Sequence, residues 1–267
     1  MSFGTAILAL EPLHIYVIAA TIGVARMIGL MTVMPVFLRL GMTGLLRGVA
    51  GLVLALPAMP MIAAAMQGQH PSLALWGGLM IKEIVVGLLV GMVLGVPIWS
   101  AQFAGDVIDS QRNATGQLPD PSSVDATVTG TIMSLTIMAL YFASGCFQLT
   151  LQAVYASYRT WPADRFTPLF NAESGSALLG LLDRIVGAGF RLAAPLVVLM
   201  LLSDLSIGLL ARSAPSTQLT SLAPLVKNLL FTFMVLLYFA FLARYMDGSL
   251  AVLLDTGKLL AAMAGGR

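Results

Sequence analysis

Charge is what this sequence has least of. Only 10% of its 267 residues are Asp, Glu, Lys or Arg, and 14 basic against 12 acidic residues leave a formal net charge of +2. An average soluble domain carries about 25% charged residues. With 58% apolar residues and a mean hydropathy of +0.93, a sphere of this length could not hide its apolar surface behind a polar skin. That excludes an ordinary soluble domain. Disorder is excluded as well, because it requires low hydrophobicity. With no basic stripe to neutralise phosphates, nucleic acid is not expected as a partner. The class that remains is an integral membrane protein in contact with lipid.

Residues of reactive chemistry are equally scarce. The single cysteine, Cys146, excludes an internal disulfide framework, and in its apolar surroundings it reads as a small packing residue. The only histidines, His14 and His70, have no spaced cysteine or carboxylate to make a metal site. Zinc-protease, nucleophile-elbow, phosphate-loop and dinucleotide patterns are all missing. No cofactor and no catalysis are therefore expected. The first apolar stretch has no basic leader and is expected to run on as a span, not to be cleaved.

What is present is apolar length. Six stretches read as hydrophobic helices: 12–38, 48–66, 73–99, 126–158, 178–203 and 228–243. A crossing needs about 20 apolar residues. The second stretch and the uncharged fourth, 126–158, meet that comfortably. The others are short or interrupted by charge. Pro35 and Gly41 should end the first helical region, and Pro57 and Pro60 should kink or divide the second. Residues 68–71 read as a turn, 117–123 as the clearest loop, 160–176 as a polar connector and 214–217 as a break. No solenoid-length repeat is evident. Orientation does not follow from charge. Arg159, Arg165, Arg244, Lys258 and Arg267 fall on one side, and Arg39, Arg47, Arg112, Arg212 and Lys227 on the other. That tie hints that simple six-span threading is wrong.

The few charges sit inside or against the apolar helices: Arg26, Lys82, Glu83, Asp106, Asp109, Arg112, Asp183, Arg184, Arg191, Asp204, Arg212 and Lys227. Each costs about 2.5–3.5 kcal/mol at membrane depth on insertion scales. Snorkelling from helix ends accounts for some. As a set they favour a protein-lined cavity or a subunit interface. Asp106, Asp109 and Arg112 share a helical face, so each carboxylate needs a partner. Asp204 and Arg212, eight residues apart, also share a face with Gly208 between them. Gly87, Gly91 and Gly95 form a smooth ridge that admits a close neighbour, either within the chain or from another subunit. Gly44 and Gly48 repeat the spacing once. The sixteen methionines read mostly as adaptable core filling.

One segment carries a resemblance. It runs from Lys82-Glu83-Ile84 through Gly87 and Gly91 to Trp99-Ser100-Ala101-Gln102-Phe103-Ala104-Gly105-Asp106-Val107-Ile108-Asp109-Ser110-Gln111-Arg112, with Asp120-Pro121 downstream. A second lies in Arg191-Leu192-Ala193-Ala194-Pro195, in Asp204 to Pro215 and in Pro224-Leu225-Val226-Lys227. A third is Arg26 with Gly29-Leu30 and Pro35-Val36-Phe37. Together they resemble the SctT family (YscT, HrcT, SpaR) of the virulence type III secretion export apparatus, to which flagellar FliR is related. Asp109-x-Gln111-Arg112 is more similar to the injectisome branch. Asn113, Asp204 and Ser216 stand where the family more often has Gly, Glu and Gln.

The resemblance implies an all-α subunit of packed helical hairpins. Residues 1–175 would be an SctR-like part and 176–267 an SctS-like part with a C-terminal tail. One copy would join SctR and SctS subunits in an export gate for unfolded secreted polypeptides at the bacterial inner membrane, part of it projecting toward the periplasm. SctU would wrap its base, and SctV would lie nearby. The loop after Arg112, about 113–125, would be a channel plug, comprising Asn113, Ala114, Thr115, Gly116, Gln117, Leu118, Pro119, Asp120 and Pro121 and continuing to Asp125. Pro119 and Pro121 forbid helix there, and Gly116 supplies a hinge. Gating and assembly would fall to Arg26, Lys82, Glu83, Asp106, Asp109, Arg112, Arg191, Asp204, Arg212 and Lys227. The alternative is a stand-alone secondary transporter or channel that uses the buried Asp and Arg residues. Such proteins often show internal repeats with matched broken helices, and no convincing repeat is seen.

Overall fold

A chain this apolar must satisfy its backbone hydrogen bonds internally, and helices do so within each segment. In the computed structural model the described residues are 3–67, 72–113, 127–166, 172–213 and 223–254. Every regular element among them is helical.

Helix α1 spans Phe3–Val33. Pro35 cannot donate to its ladder, so the chain breaks at Met34 and restarts as α2, Pro35–Arg39. Gly41, at a positive φ of 58°, turns the backbone. Helix α3, Gly44–Ala55, runs into a 3-10 turn at Leu56–Ala58 and then α4, Met59–Met66. Pro57 and Pro60 thus divide this stretch, as their missing donors require. Helix α5, Leu73–Asn113, continues through Pro97 for 41 residues. Helices α6, Val128–Ala143, and α7, Cys146–Thr160, follow. Then come α8, Ala172–Ser213, and α9, Ala223–Leu254.

The apolar run at 126–158 does not make one straight crossing. It breaks at Ser144 and Gly145, and α6 and α7 are bent by 79°. Gly145 has a φ of +75°, a left-handed conformation that stops the helix. No charge or proline marks the place, so hydropathy alone runs straight through it. The third stretch was expected to end at 99, yet α5 carries on to Asn113 because its polar last turns find partners. The sixth, expected over 228–243, is also longer as α9. Among the described residues four helices are long and apolar enough to cross a membrane, or up to five if the bent pair counts as one.

By contact the chain forms two compact units. The first comprises residues 1–95, 147–180 and 252–267, and the second 96–146 and 181–251. In the first, α1 packs on α3 and α4. Its core includes Ala19, Ile22, Ile62, Met66, Leu79 and Tyr158. Gly87 and Gly91 of α5 face α1. A side chain on Gly87 would overlap the Arg26 carbonyl, and one on Gly91 would meet the Leu30 carbonyl at 2.8 Å. Gly29 of α1 reciprocates against Ile84. At Gly87 and Gly91 the ridge is therefore spent inside the chain, and Gly95 is buried as well. Gly44 and Gly48, by contrast, have nothing within 4 Å among the described residues. In the second unit, Gly105 of α5 meets Gly130 of α6 backbone to backbone, and Gly189 of α8 meets Phe103. The Tyr238 hydroxyl of α9 donates to the Leu192 carbonyl of α8.

Candidate functional site

The charges expected to be functional fall into two buried networks and one open set. In the first unit, Arg26 lies in mid-α1 with 0% exposure. An arginine is tolerated there only when its charge is paired and its nitrogens find acceptors. Nε meets Glu83 Oε2 at 2.5 Å, Nη1 donates to Ser157 Oγ at 2.9 Å and Nη2 to the Trp161 carbonyl at 2.8 Å. The guanidinium stacks 3.6 Å over the Tyr158 ring. Lys82 Nζ lies 2.5 Å from the other Glu83 oxygen and donates to the Pro162 carbonyl at 2.8 Å. Gly87 stands one helical turn beyond Glu83. The missing side chain there lets the α1 backbone come close enough for Arg26 to reach the carboxylate. The network ties α1, α5 and α7 together.

In the second unit, the end of α5 meets the start of α6. Asp109 accepts from the Thr129 amide at 2.7 Å and from its hydroxyl at 2.5 Å, and it pairs with Arg112 at 3.0 Å. Asp106 accepts from the Thr127 hydroxyl at 2.7 Å, and that oxygen in turn caps α6 by accepting from the Gly130 amide at 3.1 Å. The two neighbouring carboxylates thus each have a partner, and both sit by a helix N-terminus, where negative charge is favoured. Arg112 also donates to Asn228 Oδ1, from Nε at 3.1 Å and Nη2 at 2.9 Å, and lies 4.4 Å over the Phe231 ring. Lys227, 1% exposed, pairs with Asp204 at 2.7 Å and reaches the Gln111 carbonyl at 3.5 Å. A mostly apolar cleft beside this cluster is lined by Thr129, Ile132, Met133, Thr136, Phe231, Val235 and Tyr238.

The structure therefore joins Arg26, Lys82 and Glu83 in one place, and Asp106, Asp109, Arg112, Asp204 and Lys227 in another. It does not join Asp204 to Arg212. Asp204 turns to Lys227, and Arg212 is exposed. Arg191 is exposed too and, among the described residues, donates to the Gly187 carbonyl of its own helix. The loop residues from Ala114 to Pro121 and on to 125 lie outside the described residues, and Asn113 is the last residue of α5. Hydropathy and charge did not point to Ser157, Thr129, Asn228 or the Trp161 carbonyl. They carry no charge, and only the pairing of distant helices makes them ligands of Arg26, Asp109 and Arg112. No group of three or more His, Cys, Asp or Glu able to hold a metal ion occurs among the described residues. In both networks the named charges pair with groups on other turns or helices of this chain.

Residues 17–252 match the family described as "Bacterial export proteins, family 1". The chain is similar to "Yop proteins translocation protein T" of Yersinia pestis, 29% identical over 67% of this chain and 69% of that protein. It is similar to "Surface presentation of antigens protein SpaR" of Shigella flexneri, 31% identical over 59% and 60%. "Secretion system apparatus protein SsaT" of Salmonella typhimurium is 27% identical over 85% and 88%. Flagellar FliR proteins are also among the relatives matched.

Proposed function

The chain belongs to the bacterial export proteins, family 1, with YscT, SpaR, SsaT and FliR among its relatives, and from that premise we propose that it is a core subunit of a type III export gate. It is a multi-pass membrane protein of a secretion export apparatus. The proposal is that one copy assembles with SctR and SctS subunits, with SctU and SctV nearby, into a channel for unfolded polypeptide, part of it toward the periplasm. In it residues 1–175 play the SctR-like part and 176–267 the SctS-like part. The family match across 17–252 carries the reading. The pairing of charges between helices in both networks supports it, since a conduit needs firmly positioned helices.

The same reading makes residues 113–125 the plug of the closed channel. Its support in the described residues is the pair of loop roots. Asp106 and Asp109 on α5 hold Thr127 and Thr129 on α6, so the helix end before the segment and the helix start after it are tied together.

Co-expression with SctR and SctS, and purification by a tag on this chain, tests the assembly. A stable complex with one copy of this chain is expected. A well-behaved monomer that moves a small solute in liposomes would overturn it. Deleting residues 113–123 should make the assembled gate leak small dyes. An unchanged seal would remove the plug from the proposal.

A further inference from the structure

Helix α8 holds the least covered of the candidate spans. Only 28% of its apolar window is buried within the chain, against 72% for α5. Along it, Arg184, Arg191, Val198, Leu205 and Arg212 recur every seven residues, and all five are exposed. Seven residues are about two turns and about 10 Å of helix, with a drift of about 20° per step, so the five make a stripe that winds slowly, by about 80° from Arg184 to Arg212. Among the described residues no carboxylate pairs with any of its three arginines. Asp183 lies about 100° round the helix from Arg184, and Asp204 is taken by Lys227.

Beside this stripe run Gly187, Ala194 and Gly208. A helical glycine costs about 1 kcal/mol relative to alanine, so each asks for a reason. Gly189 has one inside the chain, because a side chain there would strike Phe103. Among the described residues Gly208 has none, with nothing within 4 Å, and Gly187 meets the Arg191 side chain of its own helix. Uncovered glycines beside this mixed row of arginines and aliphatic side chains leave room for a second helix to approach closely.

We propose that this face of α8 is the docking seam for an apolar helix of a different subunit, one that carries carboxylates at about the same seven-residue spacing. Charge complementarity selects the occupant. Acyl chains would leave the arginines without counter-ions and give the glycines no use. A second copy of this chain would set Arg184 against Arg184 when parallel, and Arg184 against Arg212 when antiparallel about Val198. The inference rests on the multi-subunit reading above and adds the chemistry of one contact.

The test uses the assembly purified from its native membrane by a tag on this chain. A photo-crosslinking amino acid is placed at Val198 or Leu205, with Leu229 and Leu236 of α9 as apolar controls of similar exposure. Adducts from positions 198 and 205 should contain a different subunit of the same assembly, and peptide mapping should find a carboxylate within one turn of the adduct. Arg191→Glu should lower that adduct about tenfold, as losing one paired charge implies. Replacing the mapped carboxylate by Arg should restore it. Gly208→Leu should lose the adduct as well, while the chain stays membrane-bound after alkaline extraction, which separates docking from folding. Adducts only to lipid or to a second copy, an adduct segment without a carboxylate, or an unchanged adduct in Arg191→Glu would overturn the seam with the assembly left intact. A wild-type chain that purifies with no other subunit would overturn both proposals.

Discussion

Arg26 and Arg191 are both arginines in the middle of apolar helices, and the chain treats them in opposite ways. Arg26 has a carboxylate, a hydroxyl, a carbonyl and an aromatic face around it, all supplied by this chain. Arg191 is exposed, with a carbonyl of its own helix as its hydrogen-bond partner. The glycines follow the same division. Gly87 is filled by α1, and Gly208 is open. An apolar helix can pay the cost of a charge in two places, and the surroundings of the glycines show which one is used. Where the neighbour is already present, the charge belongs to the fold. Where the space is empty, the proposed subunit seam would supply the partner.

The comparison can be broken from its strongest side first. Glu83→Ala leaves Arg26 and Lys82 buried without their counter-ion and should cost about 3–5 kcal/mol, read as loss of folded chain and a large fall in the thermal midpoint of the purified assembly. Survival of the assembly at wild-type stability would mean that Arg26 is not buried in the working protein. Gly87→Leu should come next, at about 3 kcal/mol or more, because the overlap is with backbone and cannot be relieved by a rotamer change. The equivalent change at Gly44, which has open space around it, should leave the chain's own stability within about 1 kcal/mol. Asp109→Asn should cost about 1.5–3 kcal/mol. It weakens the bonds to Thr129 and Arg112, so the effect should appear as faster hydrogen exchange at the start of α6, with α1 unchanged. The smallest effect on folding is expected from Arg191→Ala, within about 0.5 kcal/mol for the chain itself. A large loss of chain stability there would place Arg191 among the internal charges.

Much of this was legible in the residues. Membrane character followed from composition, the helices from the apolar stretches and the all-α class from the family resemblance, and the division of the second stretch followed from Pro57 and Pro60. The expectation that Asp106 and Asp109 each need a partner followed from their spacing. The helix pairs were not legible. The break at Gly145 has no proline or charge to announce it, and Ser157, Thr129 and Asn228 look like ordinary polar residues until distant helices bring charges to them. The pairing of Asp204 with Lys227 was hidden for the same reason, since the spacing showed only that Asp204 shares a face with Arg212. A helical wheel orders residues on one helix, and it has no information about which helix lies opposite.

By itself, then, the sequence determined that the chain is helical and membrane-embedded, with a handful of charges that lipid would not accommodate. Periodicity and hydropathy are local properties, and a one-dimensional pattern holds them completely. The tertiary structure alone decided which charges are already compensated. A counter-ion 57 residues away, as Glu83 is from Arg26, becomes a neighbour only through helix packing. Compensation is a property of distance in space, and only the folded chain sets that distance.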